Sequence, residues 1–229
     1  MDVLTRIVEK KREEVKRNRA AVPWNALRRA VAFAPRVRDL RAALEAHGPV
    51  ALLAEVKRAS PSRGLFAPGL SAPKIARAYE AAGAAALSVL TDRPFFHGSL
   101  DDLSSARRAT EIPVMRKDFL LEPYQVWEAR AHSSDAVLLI ARLLGRDALA
   151  EMLEATHDLD MQAVVEVHSP EELAKLEGLP VRILGVNNRD LTTFEVDLET
   201  TRRVAEKAPP GVLKVAESGI KTREDVEKV

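Results

Sequence analysis

Glu55, Lys57, Lys117, Glu166, Asn187 and Glu217 each fall at or near the end of a short apolar run, and together they hold ammonium, carboxylate and amide groups able to move and steer protons. The runs are Ala51–Lys57, Pro113–Asp118, Ala163–Val167, Ile183–Arg189 and Leu213–Ser218. Glu166 sits among Val164, Val165 and Val167, where a carboxylate is costly unless it is paired. A lysine from another strand would make that pair an acid–base couple. Lys117 is the candidate acid, with a pKa expected to be lowered by burial or by neighbouring cations. Asn187 and Arg189 fall on one face of an extended segment, and an amide beside a guanidinium suits a substrate carrying hydroxyl and carboxylate groups. Ser218-Gly219 offers backbone N–H groups ahead of a helix, a weak signal for phosphate. A structural ion pair or a strand-end salt bridge would use the same residue types; five runs ending alike favour a shared site.

Strand side chains alternate, so Glu55 and Lys57 share a face and Val56 packs the other way. By the same rule Lys117 points with Met115, away from Arg116 and Asp118. Each run is followed by a turn and a helical pattern, which implies a parallel sheet covered on both faces. In a closed barrel of that kind the carboxyl ends of the strands form one mouth. The expected strands are Val50–Lys57, Ala86–Thr91, Val114–Lys117, Ala136–Ala141, Ala163–Val167, Ile183–Asn187 and Leu213–Glu217, and a helix follows each. Residues 1–46 carry no strand pattern and read as a helical extension, with helices over Val3–Arg19, Trp24–Val31 and Arg38–Ala46; residues 47–229 carry the barrel. The fold class expected is therefore an α/β, (β/α)8 TIM barrel with an N-terminal helical extension. The count stops at seven units, so the last βα unit is expected to be absent from this chain.

The chain of 229 residues is 46% hydrophobic and 30% charged, with a net charge of +1. Such a balance gives nucleic acid or an anionic membrane no hold. The basic stretch Lys10–Arg19 is interleaved with acid and is expected to be a solvated helix face. The chain has no cysteine, which excludes disulfides, thiolate metal sites and a cysteine nucleophile. The five histidines show no ligand spacing, and His168 reads as a loop residue. With no long apolar run, a cytoplasmic enzyme is the expectation, and a monomer the expected state. Phe95, Phe96 and Phe119, just past the second and third strands, could wall an apolar pocket.

Glu55–Ser62 (EVKRASPS), Leu87–Asp92 (LSVLTD) with Phe96–Ser99 (FHGS), and Arg116–Phe119 (RKDF) closely resemble motifs of the indole-3-glycerol-phosphate synthase family. So do Val165–His168 (VEVH), Gly185–Leu191 (GVNNRDL) and Val215–Ile220 (VAESGI), in the same order along nearly the whole chain. The resemblance implies a (β/α)8 barrel acting in tryptophan biosynthesis on a small phosphorylated substrate, with no metal or organic cofactor. It implies that Lys117 is the general acid on the substrate carbonyl and Glu166 the general base of a later dehydration. Lys57 would contact the phosphate and share acid work, while Glu55, Asn187 and Glu217 would position the lysines and the sugar hydroxyls. Arg189 would face the anthranilate carboxylate and Ser60 would line the site. Phe96, Phe119, Leu138 and Leu191 would hold the aromatic ring, and Ser218 and Gly219 half of the phosphate. The chain departs from the pattern at His132–Asp135, where a glycine-containing turn is usual. Phosphoribosylanthranilate isomerase is the nearest alternative barrel, but its base is a cysteine. A non-catalytic scaffold would gain nothing from a buried Glu166 or Lys117.

Overall fold

The computed structural model describes residues 3–190 and 195–229. The apolar runs become seven parallel strands: β1 (Leu53–Val56), β2 (Ala86–Leu90), β3 (Val114–Lys117), β4 (Ala136–Ile140), β5 (Gln162–Val167), β6 (Ile183–Asn187) and β7 (Leu213–Glu217). They lie side by side in chain order, every pair parallel. Strands β2, β4 and β6 are buried at every residue, as strands covered on both faces must be. Each strand is followed by helix: α4 (Ala72–Ala81), short α5 (Arg93–Phe96) with α6 (Leu100–Ala109), α7 (Pro123–Ala131), α8 (Arg146–His157), a 3-10 turn (Pro170–Leu176), α9 (Glu199–Ala205) and α10 (Arg223–Lys228). In a flat sheet β3 and β7 would stand about 19 Å apart, four strand spacings. Instead Lys117 of β3 bonds Glu217 of β7 at 2.7 Å, so the sheet curls until its strands face one another. Among the described residues β1 and β7 each pair on one side only, in keeping with a count of seven.

Boundaries moved where pairing or capping decided them. The first strand begins at Leu53 rather than Val50: Val50 and Leu52 are exposed, and of the run before Leu53 the Leu52 carbonyl alone, among the described residues, accepts from the β2 side, from Ala85 N–H at 2.9 Å. Pro170–Leu176 is a 3-10 rather than an α-helix, with Glu172 folded back to accept the His168 N–H. The third helix starts at Leu40, after Asp39 has accepted the Ala42 N–H at 2.9 Å.

The first three helices dock on different parts of the barrel. Helix α3 (Leu40–Ala46) buries Leu40 and Leu44 against Ala86, Ala136 and Ile183. It is tied to the strand starts by Arg38 N–H donating to Asp135 at 2.8 Å and Arg41 N–H to Gln162 at 2.9 Å. Helix α2 (Trp24–Ala32) sets Trp24 edge-on against Tyr124 and Trp127 of α7, with centroids 5.5 and 6.1 Å apart. Helix α1 (Val3–Ala21) buries Ile7, Lys11 and Val15. Lys11 corrects the expectation of a solvated basic face. It is 1% exposed and its ammonium lies 2.8 Å from Asp118, 2.9 Å from Glu14 and 3.0 Å from Asp92. Burial alone would lower its pKa, but Asp118 and Asp92 hold it above the usual lysine range.

The turn at His132–Asp135 manages without glycine because Ser133 takes the left-handed conformation, φ 66°. Ser134 then donates to the Ala136 carbonyl at 2.7 Å, and buried Asp135 accepts the Val114 N–H at 2.8 Å.

Candidate active site

A cavity of about 1410 Å³ runs along the edge between β1 and β7, from Leu44 and Pro49 to the carboxyl ends of the strands, where it is lined by Glu55, Lys57, Ser60, Phe96, Lys117, Phe119, Leu138, Glu166, Asn187, Arg189, Glu217, Ser218 and Gly219. The structure thus brings together every site residue singled out from the sequence except Leu191, which lies outside the described residues. Alternation places them. Lys117 points inward with Met115, whereas Arg116 turns into the helix layer and bonds Glu128 at 2.9 Å and Asp118 at 3.0 Å. Asp118 accepts the Phe119 N–H at 2.8 Å, which fixes the backbone just after Lys117.

Lys117 is the hub. Its ammonium donates to Glu217 Oε2 at 2.7 Å and lies 3.7 Å from Glu166 Oε2. The expected lowering of its pKa is wrong in sign. Burial does lower it, but Glu217, then Glu166 and Glu55, outweigh that and hold it above the usual lysine range. Carboxylates gathered around one ammonium do not ionise alike. Burial pushes Glu217 up, Lys117 opposes, and Glu166 and Glu55 add to the rise, so Glu217 lies above the usual carboxylate range. For Glu166 burial is outweighed by His168, Lys117 and the Asn187 amide, whose Nδ2 donates to Oε1 at 3.2 Å, so Glu166 lies below that range. Across the mouth Lys57 pairs with Glu55 of its own strand, as alternation required.

The walls follow from local geometry. Phe96, on α5, and Phe119 stand 6.0 Å apart with rings tilted by 40°, beside buried Leu138. Asp92 caps α5 by accepting the Phe95 N–H at 2.8 Å and so sets the Phe96 side of that wall. In the loop after β1, Ala59–Ser60 pairs with Gly64–Leu65 as a short hairpin that carries Ser60 to the mouth. Arg58 anchors its base on Asp102 at 2.8 Å and on the Leu70 carbonyl at 2.9 Å. After β7, Ser218 and Gly219 have φ of 65° and 82°, so consecutive residues turn left-handed. Only glycine serves at 219, since a methyl there would also collide with Val196. Asn188 supports this turn, donating to the Ser218 carbonyl at 3.4 Å and accepting from the Thr201 N–H and hydroxyl at 3.1 and 2.8 Å.

Sequence reasoning missed two residues. His168 does lie in the turn just past β5, but it is buried there, with Nε2 3.2 Å from Glu166. Its position two residues after Glu166, hence on the same strand face, was the available signal. Lys11 lies four residues from both Ile7 and Val15, on the apolar stripe of α1, and that spacing could have revealed its burial.

Comparison with known proteins gives one family. The family model described as indole-3-glycerol phosphate synthase matches residues 4–229. An indole-3-glycerol phosphate synthase of Rhodopirellula baltica is 46% identical over 226 residues, covering 99% of this chain and 87% of the relative. One from Roseiflexus sp. is 47% identical over 232 residues, covering 98% and 86%. Among solved structures, the N-acetylmannosamine-6-phosphate 2-epimerase from Clostridium perfringens superposes with a TM-score of 0.59 at 15% identity, over 78% of this chain and 80% of that one. That likeness speaks for the fold alone.

Proposed function

The chain belongs to the indole-3-glycerol phosphate synthase family, and from that footing we propose how its side chains divide the reaction. The protein is a carboxy-lyase of tryptophan biosynthesis, converting 1-(2-carboxyphenylamino)-1-deoxyribulose 5-phosphate to indole-3-glycerol phosphate, carbon dioxide and water. The observation that carries the division of roles is the Lys117 ammonium held between carboxylates of β5 and β7, beside the Phe96–Phe119 pair.

In this reading the substrate ring lies among Phe96, Phe119 and Leu138, its carboxylate toward Arg189. The phosphate takes the Ser218–Gly219 turn and Lys57, with Ser60 along the chain between. The ring carbon bearing the carboxylate joins the keto carbon, and the keto oxygen takes a proton from Lys117 to become a hydroxyl. An alkoxide is a stronger base than any amine, so a raised lysine pKa does not oppose that transfer. Carbon dioxide then leaves, returning the bond electrons to the ring. Finally Lys57 or Lys117 protonates the hydroxyl, which departs as water, while Glu166 removes the carbon-bound proton and the indole double bond forms. Glu55 and Glu217 hold the two lysines, and Asn187 holds Glu166. A positioned acid and base of this kind contribute about 10²- to 10⁴-fold each.

No helix of the described residues is long and apolar enough to cross a membrane. We take the setting to be the cytoplasm and the active form to be a monomer, which light scattering at assay concentration checks. The roles are tested with Glu166→Gln. Binding groups remain while the base is lost, so substrate affinity should stay within a few-fold while the decarboxylated, still hydrated intermediate accumulates. Collapsed affinity with turnover intact would make Glu166 a binding residue instead.

A further inference from the structure

Glu166 has a neighbour that the reaction above does not use. His168, two residues on and just past the end of β5, is 8% exposed, its Nε2 3.2 Å from Glu166 Oε1 and its Nδ1 3.5 Å from Glu172 Oε2. Glu172 in turn accepts the His168 backbone N–H at 2.9 Å and the Arg142 Nε–H at 2.8 Å, while Arg142 also reaches Asp190 at 3.2 Å. The imidazole is thus set between two carboxylates, one facing the cavity and one anchored behind it.

We propose that His168 is a positioning residue for Glu166: backed by Glu172, its imidazolium occupies Oε1 and leaves Oε2, the oxygen facing Lys117, as the atom that receives the substrate proton. The proposal rests on the role given to Glu166 above. A neutral ring would set a lone pair against one of the two carboxylates, so this place selects the doubly protonated form. The need for a second cation is also visible. Lys117 is committed to Glu217 at 2.7 Å and stands 3.7 Å from Glu166, which is only 2% exposed among valines.

The groups facing this pair are Lys117 from β3, Asn187 from β6, Glu217 from β7, Glu172 from the 3-10 turn and Arg142 from the loop after β4. Glu55 and Asp190 act at one remove, through Lys117 and Arg142. Burial lowers the His168 pKa, but Glu166 and Glu172 overcome it and, against Arg142, push it up to about 9. Glu172 is brought down to about 2, burial being outweighed by His168 and Arg142. Glu166 is therefore ionised throughout the working range, and its acid limb lies well below neutrality.

Two measurements test this. In wild-type protein with ¹⁵N-labelled histidine, one imidazole should keep both protons at pH 8, and in Glu172→Gln that ring should titrate at least one unit lower. If no ring is doubly protonated at pH 8, or if the ring that is does not respond to Glu172→Gln, the ion pair is absent and the proposal falls. In kinetics, His168→Gln should raise the acid limb of kcat by one pH unit or more, so that at any pH below the wild-type limb kcat is about tenfold lower than that of wild type, with KM within about threefold. Glu172→Gln should move the limb the same way, which keeps the test available should His168→Gln not fold. An acid limb unmoved in the folded variants overturns the proposal. If Glu166→Gln is inactive at the same time, the general base stands and only His168 loses its role; if Glu166→Gln turns over normally, the reading of Glu166 itself has failed.

Discussion

Gly185 decides whether Glu217 can reach Lys117. It lies on β6 opposite Val215 of β7, and a methyl group built there would overlap Glu217 Oε1 and come within 3.1 Å of Val164 Cγ1. Val164 is fully buried and has little room to yield, so in Gly185→Ala the carboxylate is the part that moves. Clearing the overlap takes a displacement of about 1 Å. That opens the 2.7 Å Lys117–Glu217 bond past the hydrogen-bond range and frees the ammonium to swing toward Glu166. A misplacement of about 1 Å in a catalytic group can cost on the order of a hundredfold in rate, and that is the expected loss in kcat. The fold should survive, since overpacking by one methyl costs about 1–3 kcal/mol, and each kcal/mol is worth about 2–4 °C in Tm at this size. The assay is indole formation followed by fluorescence, with a melting curve on the same sample. A double-mutant cycle locates the effect: once Glu217→Ala has removed the colliding oxygen, adding Gly185→Ala should change kcat by less than about threefold. A single variant with near-wild-type turnover, or a loss that persists undiminished without Glu217, refutes the reasoning.

Lys117→Ala should lower kcat by about a hundredfold or more, the scale of a positioned general acid; a folded variant with normal turnover removes Lys117 from the chemistry. Lys11→Met should cost about 3–5 kcal/mol in urea unfolding, because Asp92 and Asp118 are left buried without their cation, and a loss under about 1 kcal/mol would show the cluster to be incidental. Stability should also depend on pH in two windows. Glu172, depressed to about 2 from 4.5, contributes stability that is present above 4.5 and lost as pH falls through about 2. His168, raised to about 9 from 6.5, contributes stability that is complete below 6.5 and lost as pH rises through about 9. A urea midpoint no lower at pH 9.5 than at pH 6, once compared with His168→Gln, would contradict the second window.

Much of this was legible because a parallel barrel converts alternation into geometry. Val114–Lys117, Ile183–Asn187 and Leu213–Glu217 match their expected ends, and a period of two then fixes which side chains enter the mouth. Polar residues ending apolar runs mark that mouth, so Glu55, Lys117, Glu166, Asn187 and Glu217 could be found without coordinates. What could not be read was the company each charge keeps across the barrel. Lys117 was expected to be a lysine depressed by burial or by neighbouring cations, yet the groups that reach it are carboxylates arriving from β1, β5 and β7. For Lys11 the local spacing could suggest burial but not the partners, since Asp92 and Asp118 lie far along the chain.

The docking of α1 on the barrel bears on how the chain must fold as it is made. The helix leaves the ribosome well before the strands it packs on: Asn18 bonds Glu128, 110 positions later, and Lys11 waits for Asp118. At about 5–20 residues per second those partners follow roughly 5–20 s behind. Most of a helix's stability in a protein comes from packing its apolar face, so during that interval Ile7, Val15 and Lys11, with only Glu14 beside it, face water with nothing to cover them. The segment that braces the finished mouth is thus a nascent arm until the third strand has emerged. Slowing synthesis before residue 118 would lengthen the time in which that apolar stripe is open to other chains or to chaperones.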